Sequence, residues 1–150
     1  KLESNSKNYE IIKELVKSKI PVMGHIGYTP QFKKKFKVEG FTPSQEKVLI
    51  NEAIKIEKAG AFSIVLECIY SKCAEKITKK LTIPTIGIGS SNFCDGQILV
   101  TDDMIGLSGF YPKFVKKYSF INRVIEKAVK KYTRDVKTNK FPTKKNFLNG

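Results

Sequence analysis

Three short apolar segments of this chain each lead to ionisable side chains. Lys1 and Glu3 belong to the first segment, at the very start of the sequence. His25 follows the second segment, and Glu67 follows the third. Folds built from alternating strands and helices place their chemistry at the carboxyl ends of parallel strands. A cation, two carboxylates and an imidazole at successive strand ends therefore predict a site along one edge of a sheet or barrel.

Glu67 is a candidate general base. It directly follows the continuous apolar run 62–66, which is typical of a strand buried on both faces. The alternative is a structural glutamate in an ion pair. His25 lies between Gly24 and Gly27, where an imidazole can donate hydrogen bonds into a pocket. The alternative is a lone histidine that satisfies the polar groups of a loop.

Two further patterns carry weaker signals. Gly87 and Gly89 belong to a glycine-rich strand exit that matches neither the dinucleotide-binding fingerprint nor the P-loop, so it is a poor phosphate cradle. We treat these two glycines and Gly24 as pocket candidates. Asp102 and Asp103 are adjacent carboxylates, for which capping a helix is a commoner use than binding a ligand.

The spacing of apolar residues predicts alternating strands and helices. Helices are predicted over residues 6–17, 44–59 and 121–136. A further helix is predicted to begin after Ser71, and Ser6 and Ser71 are the predicted caps of their helices. Strands are predicted over residues 22–24, 61–66 and 84–89, with a long loop over 26–43. This alternation requires parallel strands joined by right-handed crossovers.

The number of predicted strands leaves two architectures open. Four or so strand ends are too few to close an eight-stranded barrel, which takes about 250 residues. Alone, the 150-residue chain would form a small open α/β sheet. As a fragment, it would form the second part of a barrel.

The formal net charge of +14 is concentrated near the C-terminus, where residues 113–150 carry 12 Lys/Arg against 2 Asp/Glu. Bidentate recognition of phosphates and bases favours arginine, but arginine occurs only at Arg123 and Arg134. A solvated lysine-rich face is therefore favoured over a lysine-rich nucleic-acid-binding protein, which stays a lesser alternative. We expect no nucleic-acid partner.

The remaining composition favours a reduced, cytoplasmic protein without a membrane partner. No apolar run approaches the roughly 20 residues of a membrane helix, and no secretory signal is visible. Cys68, Cys73 and Cys94 are an odd number with no CxxC spacing, and the chain has one histidine. We therefore predict partly buried free thiols and neither a disulfide framework nor a zinc site.

Several co-linear stretches resemble the ketopantoate hydroxymethyltransferase family, an early enzyme family of pantothenate (coenzyme A) synthesis. They run in family order over nearly the whole chain. The stretches are KLE at 1–3, PVMGHIGYTPQ at 21–31, FKVEG at 36–40, AGAFSIVLEC at 59–68, IPTIGIGSSNFCDGQILVTDDMIGL at 83–107 and PKFVKKY at 112–118.

The resemblance implies a fold of the (β/α)₈ TIM barrel family. Residues 1–150 would be a single domain, the C-terminal portion of such a barrel lacking its N-terminal strands, with a loose tail over residues 139–150. The full-length protein is expected to form a homo-oligomer. The family's two most direct metal-binding aspartates precede the KLE motif, so we expect the isolated segment to be inactive.

The resemblance also implies a reaction. In it, 5,10-methylenetetrahydrofolate is the co-substrate that gives a hydroxymethyl group to the keto acid 3-methyl-2-oxobutanoate, making 2-dehydropantoate with Mg²⁺. By similarity Glu67 is the general base, and Lys1 and His25 bind substrate. Glu3 is a metal-site carboxylate, acting directly or through a bound water. The other hypothesis is a degenerate, non-catalytic remnant of this enzyme.

The chain departs from the family pattern in several loops. Where the family has KLEGG, this chain has KLE followed by Ser4 and Asn5. The family's GG before the KVQG motif is replaced here by Lys34 and Lys35. The glutamine of KVQG is Glu39 here. The family's GIGAG becomes GIGSS, so serines 90 and 91 replace alanine and glycine.

Overall fold

The computed structural model describes residues 1–3 and 8–147. The chain divides into two compact units, Lys1–Ile98 and Leu99–Gly150. Two such units can belong to one domain, so the single domain over residues 1–150 stays a prediction. Among the helices described, none combines the length and the apolar character needed to cross a bilayer.

The first unit is a parallel α/β sheet. Its elements are β1 (Leu2–Glu3), α1 (Asn8–Lys17), β2 (Met23–Gly27), α2 (Pro43–Lys58), β3 (Ser63–Glu67), α3 (Ser71–Lys80), β4 (Thr85–Ile88) and β5 (Gly96–Gln97). Within the described residues the sheet has five strands in the order β1–β2–β3–β4–β5, and every neighbouring pair is parallel. The spatial order of the strands therefore follows their order in the chain.

The pairing of the strands sorts side chains onto two faces of the sheet. Glu3 pairs with His25, and His25 pairs with Val65, so these three residues share one face. Glu67 lies two residues beyond Val65 and returns to that face. We call this face of the sheet the site face.

The opposite face packs against the helices and carries the core. Ile26, Ile64 and Leu66 are fully buried there and belong to the same apolar cluster as Ile56 of α2 and Ile77 of α3. Burying a side chain of this size contributes about 1.5–3 kcal/mol relative to leaving it exposed. We call this face of the sheet the helix face. Its packing against the helices holds the strands in place, and their other face carries the charged residues.

Helix α2 begins where its sequence specifies. The Thr42 hydroxyl accepts a hydrogen bond from the Gln45 amide, and the Gln45 side chain accepts one from the Thr42 amide, which is a capping box. Pro43 follows as the first helical residue, where its missing N–H costs nothing.

The second unit contains α4 (Thr101–Ile105), α5 (Ile121–Lys137) and a 3₁₀ turn (Lys144–Asn146). All residues of α5 are described, and none of them is buried. The Tyr132 ring of α5 contacts the Phe141 ring, with centroids 5.5 Å apart. The loose tail over residues 139–150 stays a prediction, and residues 148–150 lie outside the described part.

Most predicted elements are present, with shifted ends. The second strand continues through His25 to Gly27, so His25 lies inside the strand and the loop begins at Tyr28. The N-cap of α3 is Tyr70, and the predicted cap Ser71 instead pairs its hydroxyl with that of Ser91 at 3.1 Å. The predicted cap at residue 6 lies outside the described residues.

Two short elements, β5 and α4, were not predicted. Asp102 and Asp103 lie in the first turn of α4, whose N-cap is Val100, so neither aspartate is the capping residue. Carboxylates in a first helical turn still interact favourably with the positive end of the helix dipole.

Candidate active site

Three of the predicted site residues meet on the site face. Glu3 ends β1, His25 lies in β2 and Glu67 ends β3. His25 Nδ1 is 3.8 Å from Glu3 Oε1, and His25 Nε2 is 3.0 Å from Glu67 Oε2. The imidazole therefore lies between two carboxylates, and we call these three residues the Glu–His–Glu cluster.

The imidazole of His25 is completely buried, but its polar atoms are not satisfied. Within the described residues neither ring nitrogen makes a hydrogen bond. The 3.0 Å approach of Nε2 to the Glu67 carboxylate is thus a close polar contact, in which the N–H direction does not meet the oxygen. Unpaired buried polar groups are rare, and one explanation for them is a functional role.

Glu3 is oriented by two contacts. Its Oε2 accepts a hydrogen bond of 3.0 Å from the backbone amide of Gln31, in the loop after β2. Its backbone carbonyl accepts a hydrogen bond of 2.6 Å from Asn8 Nδ2, at the start of α1. The carboxylate is buried, with 5% of the side chain exposed, so these contacts fix its direction inside the structure.

The backbone of Glu67 contacts Gly27, at the end of β2, and Tyr28, which follows β2. Its carbonyl accepts a hydrogen bond of 2.8 Å from the Tyr28 amide. Gly27 has φ +94°, and a Cβ added there would lie 2.1 Å from the Glu67 carbonyl oxygen. Both the φ angle and the close approach require glycine. The Glu67 side chain is 17% exposed, which leaves it more accessible than Glu3 or His25.

The next residue, Cys68, turns the chain sharply. It has φ +53°, a left-handed conformation that non-glycine residues seldom adopt. Burial raises the pKa of its thiol to about 12, so the thiol stays neutral and is not a nucleophile at neutral pH. Cys73 and Cys94 are also buried and unpaired, so the prediction of free thiols is confirmed for all three.

Lys1 and the glycine candidates lie at different places. Lys1 is exposed and precedes β1. A Cβ added to Gly24 would lie 2.4 Å from Ile56 Cγ2, so this glycine lets α2 approach the helix face. A Cβ at Gly87 would meet the Gln97 amide at 2.9 Å, and Gly89 has φ +62° at the exit of β4. Their roles as pocket residues stay predictions.

The described residues do not by themselves fit a metal ion. Among them no group of three or more His, Cys, Asp or Glu side chains is placed to hold one. Glu3 supplies a buried carboxylate, but Mg²⁺ prefers six oxygen ligands, of which one or two are usually carboxylates and several are waters. Any metal site would need groups beyond this cluster.

Sequence reasoning missed the groups that orient the cluster. The amides of Gln31 and Tyr28 act through the backbone, which has no residue-specific signal in a sequence. The Ser90 hydroxyl, which bonds the chain on either side of Glu67, stood out only as a departure from GIGAG.

A parallel sheet with an acid–base cluster near the carboxyl ends of its strands has the architecture of an α/β enzyme. The chain belongs to the ketopantoate hydroxymethyltransferase family, whose sequence model matches residues 1–144.

Curated relatives named 3-methyl-2-oxobutanoate hydroxymethyltransferase support this membership. The protein of Pelagibacter ubique is 51% identical over 145 residues, covering 97% of this chain and 56% of the relative. That of Francisella tularensis subsp. novicida is 51% identical over 148 residues, covering 96% and 56%. That of Clostridium beijerinckii is 50% identical over 149 residues, covering 97% and 54%. The chain thus spans a little over half the length of these relatives.

Proposed function

We propose that the protein carrying this segment transfers a hydroxymethyl group from 5,10-methylenetetrahydrofolate to 3-methyl-2-oxobutanoate, giving 2-dehydropantoate. The relatives' names and the family match support this reaction. The structural observation that carries it is the Glu67 carboxylate, partly exposed at a strand end and 3.0 Å from the buried His25 ring. Such a carboxylate suits a general base.

The proposed role of Glu67 is to remove the proton from C3 of the keto acid. The electron pair left on C3 forms a carbon–carbon bond to the one-carbon unit of the folate. Water supplies the hydroxyl oxygen, and tetrahydrofolate leaves. The deprotonated C3 is conjugated with the keto group, so negative charge develops on an oxygen that cationic groups can stabilise.

Other residues of the segment have proposed supporting roles. The Lys1 ammonium pairs with the carboxylate of the keto acid. His25, whose Nε2 lies 3.0 Å from Glu67 Oε2, contacts substrate. Mg²⁺ belongs to the proposal through the family resemblance, and Glu3 is the one carboxylate that this segment would contribute to its site.

We also propose that the five strands are part of a (β/α)₈ barrel. The supporting observation is the strand order, which follows the chain from β1 to β5 without reversal. Doubly wound sheets reverse their order at a switch point, whereas barrel strands are added in sequence. A homo-oligomeric assembly and a cytoplasmic location, without nucleic-acid or membrane partners, complete the proposal.

The test uses the protein at its full natural length. Supplied with Mg²⁺, the keto acid and 5,10-methylenetetrahydrofolate, it should form 2-dehydropantoate, detected by mass spectrometry. Replacing the folate with tetrahydrofolate should stop product formation but preserve exchange of the C3 proton with deuterium. Absence of both product and exchange would contradict the proposal and favour a degenerate, non-catalytic remnant.

A further inference from the structure

The turn after β3 must hold Glu67 in one orientation, although the backbone of the turn is in an unfavourable conformation at Cys68. Glu67 is the last residue of the strand, and Cys68 follows with φ +53°. A non-glycine residue whose backbone is in the left-handed region is disfavoured unless surrounding contacts maintain that conformation. The contacts that maintain this turn therefore decide where the Glu67 carboxylate points.

Ser90 makes two contacts that straddle Glu67. Its hydroxyl donates a hydrogen bond of 2.6 Å to the carbonyl of Leu66 and accepts one of 3.0 Å from the amide of Ile69. One side chain from the exit of β4 thus joins the residue before Glu67 to the residue after Cys68. We call this pair of hydrogen bonds the Ser90 bridge.

Three other backbone groups of the turn bond to main chain, which side-chain substitution leaves in place. The Cys68 amide donates to Ile88 at 2.9 Å, and the Cys68 carbonyl accepts from the Glu39 amide at 2.9 Å. The Glu67 carbonyl accepts from Tyr28. The Ser90 bridge is therefore the part of this network that a point substitution can remove.

We propose that Ser90 is a positioning residue, whose hydroxyl sets the orientation of the Glu67 carboxylate by fixing the strained turn. This inference rests on the proposed role of Glu67 as the base. Ser90 acts through the backbone and does not contact the reacting atoms.

The test measures C3 deuterium exchange of the keto acid by the full-length protein and its variants. Ser90→Ala should lower kcat for exchange about tenfold with KM unchanged within twofold, because substrate binding does not involve the bridge. Ser90→Thr keeps a hydroxyl and should restore most of the rate. Ser90→Cys, with a weak donor and acceptor, should be intermediate.

A matched control is Ser91→Ala, which removes the neighbouring hydroxyl. The Ser91 hydroxyl contacts Ser71 and the amide of Phe93 and makes no hydrogen bond to residues 66–69. Its exchange rate should stay within twofold of wild type. In the same preparations, the amide of Ile69 should exchange with solvent faster in Ser90→Ala than in Ser91→Ala.

The outcomes separate this inference from the proposed function. If Glu67→Gln exchanges C3 at the wild-type rate, the base assignment is wrong and the inference falls with it. If Glu67→Gln is inactive but Ser90→Ala keeps its kcat, the positioning role alone is wrong. Should Ser90→Ala not fold, equal rates in Ser90→Thr and Ser90→Cys would overturn the inference.

Discussion

The helix face of β2 and β3 is apolar, whereas their site face carries ionisable side chains beside the apolar Val65. On the helix face, Ile26, Ile64 and Leu66 are fully buried in an apolar cluster. On the site face, His25 and Glu67 contact one another, and the His25 nitrogens make no hydrogen bond within the described residues. Adjacent residues of one strand thus have different surroundings: His25 lies between two carboxylates, and Ile26 lies in the apolar cluster.

This difference shows how stability and chemistry are divided within the sheet. Apolar burial on the helix face supplies favourable free energy without polar costs. Unpaired polar atoms on the site face cost free energy, because a buried group that lacks a partner loses its hydration. The helix face therefore stabilises a site face that would be unfavourable alone.

The largest expected effect comes from the helix face. Ile64→Ala should lower the free energy of unfolding by about 2–5 kcal/mol, because it removes fully buried methyl groups and leaves a cavity. Urea denaturation measures this. Phe62→Ala, on a residue 51% exposed just before β3, is the control and should cost less than Ile64→Ala. Equal losses would contradict the assignment of stability to the helix face.

A smaller but still large effect is expected at Gly27, which ends β2 and pairs with Glu67. Gly27→Ala should cost about 2 kcal/mol or more, because φ is +94° and the new methyl group would overlap the Glu67 carbonyl. It should also reduce C3 exchange by displacing Glu67. Gly109→Ala is the control, since nothing described lies within 4 Å of its Cβ position. A Gly27 variant as stable as the Gly109 variant would refute the close approach.

The smallest expected effect concerns a polar contact of the helix face. Asp95 Oδ2 accepts hydrogen bonds from the Thr85 amide and hydroxyl at 2.8 and 2.9 Å. These bonds lower the pKa of Asp95 from its ordinary 3.8. A carboxyl whose pKa falls on folding adds stability that is present above about pH 3.8 and lost as the pH falls through the lower folded pKa.

Asp95→Asn should therefore cost about 1 kcal/mol at pH 7, a modest value because the carboxylate is solvent-exposed. Its stability should also depend less on pH below about pH 4 than that of wild type. Urea denaturation between pH 2.5 and 7 gives both quantities. A pH dependence identical to wild type would contradict the role of this carboxylate.

The sequence predicted the alternation of elements better than the ends of the strands. The apolar run 62–66 correctly placed a buried strand leading to Glu67. The predicted strand 22–24 ends too early, because β2 continues through His25 to Gly27. A Cβ at the pocket candidate Gly24 would meet Ile56 of α2 on the helix face. A glycine within a strand can mark close approach of another element, and only the folded structure distinguishes the two uses.

The short elements and the orienting contacts could not be predicted for a different reason. Strand β5 has two residues and exists through pairing with Gly87 and its neighbour, which no local periodicity reveals. The contact of Gln31 with Glu3 spans 28 positions and uses a backbone amide. Such contacts depend on the fold as a whole, whereas the residue types of the cluster were visible in the sequence.

The most direct test of Glu67 as the general base is C3 deuterium exchange by Glu67→Gln in the full-length protein, together with its urea denaturation midpoint. Glu75→Gln, on a partly exposed glutamate of α3 paired with Lys79, is the matched control. We expect a loss of exchange of about 10²–10⁴-fold in Glu67→Gln with little change in the midpoint. Exchange at the wild-type rate in this variant would contradict the assignment of Glu67 as the base.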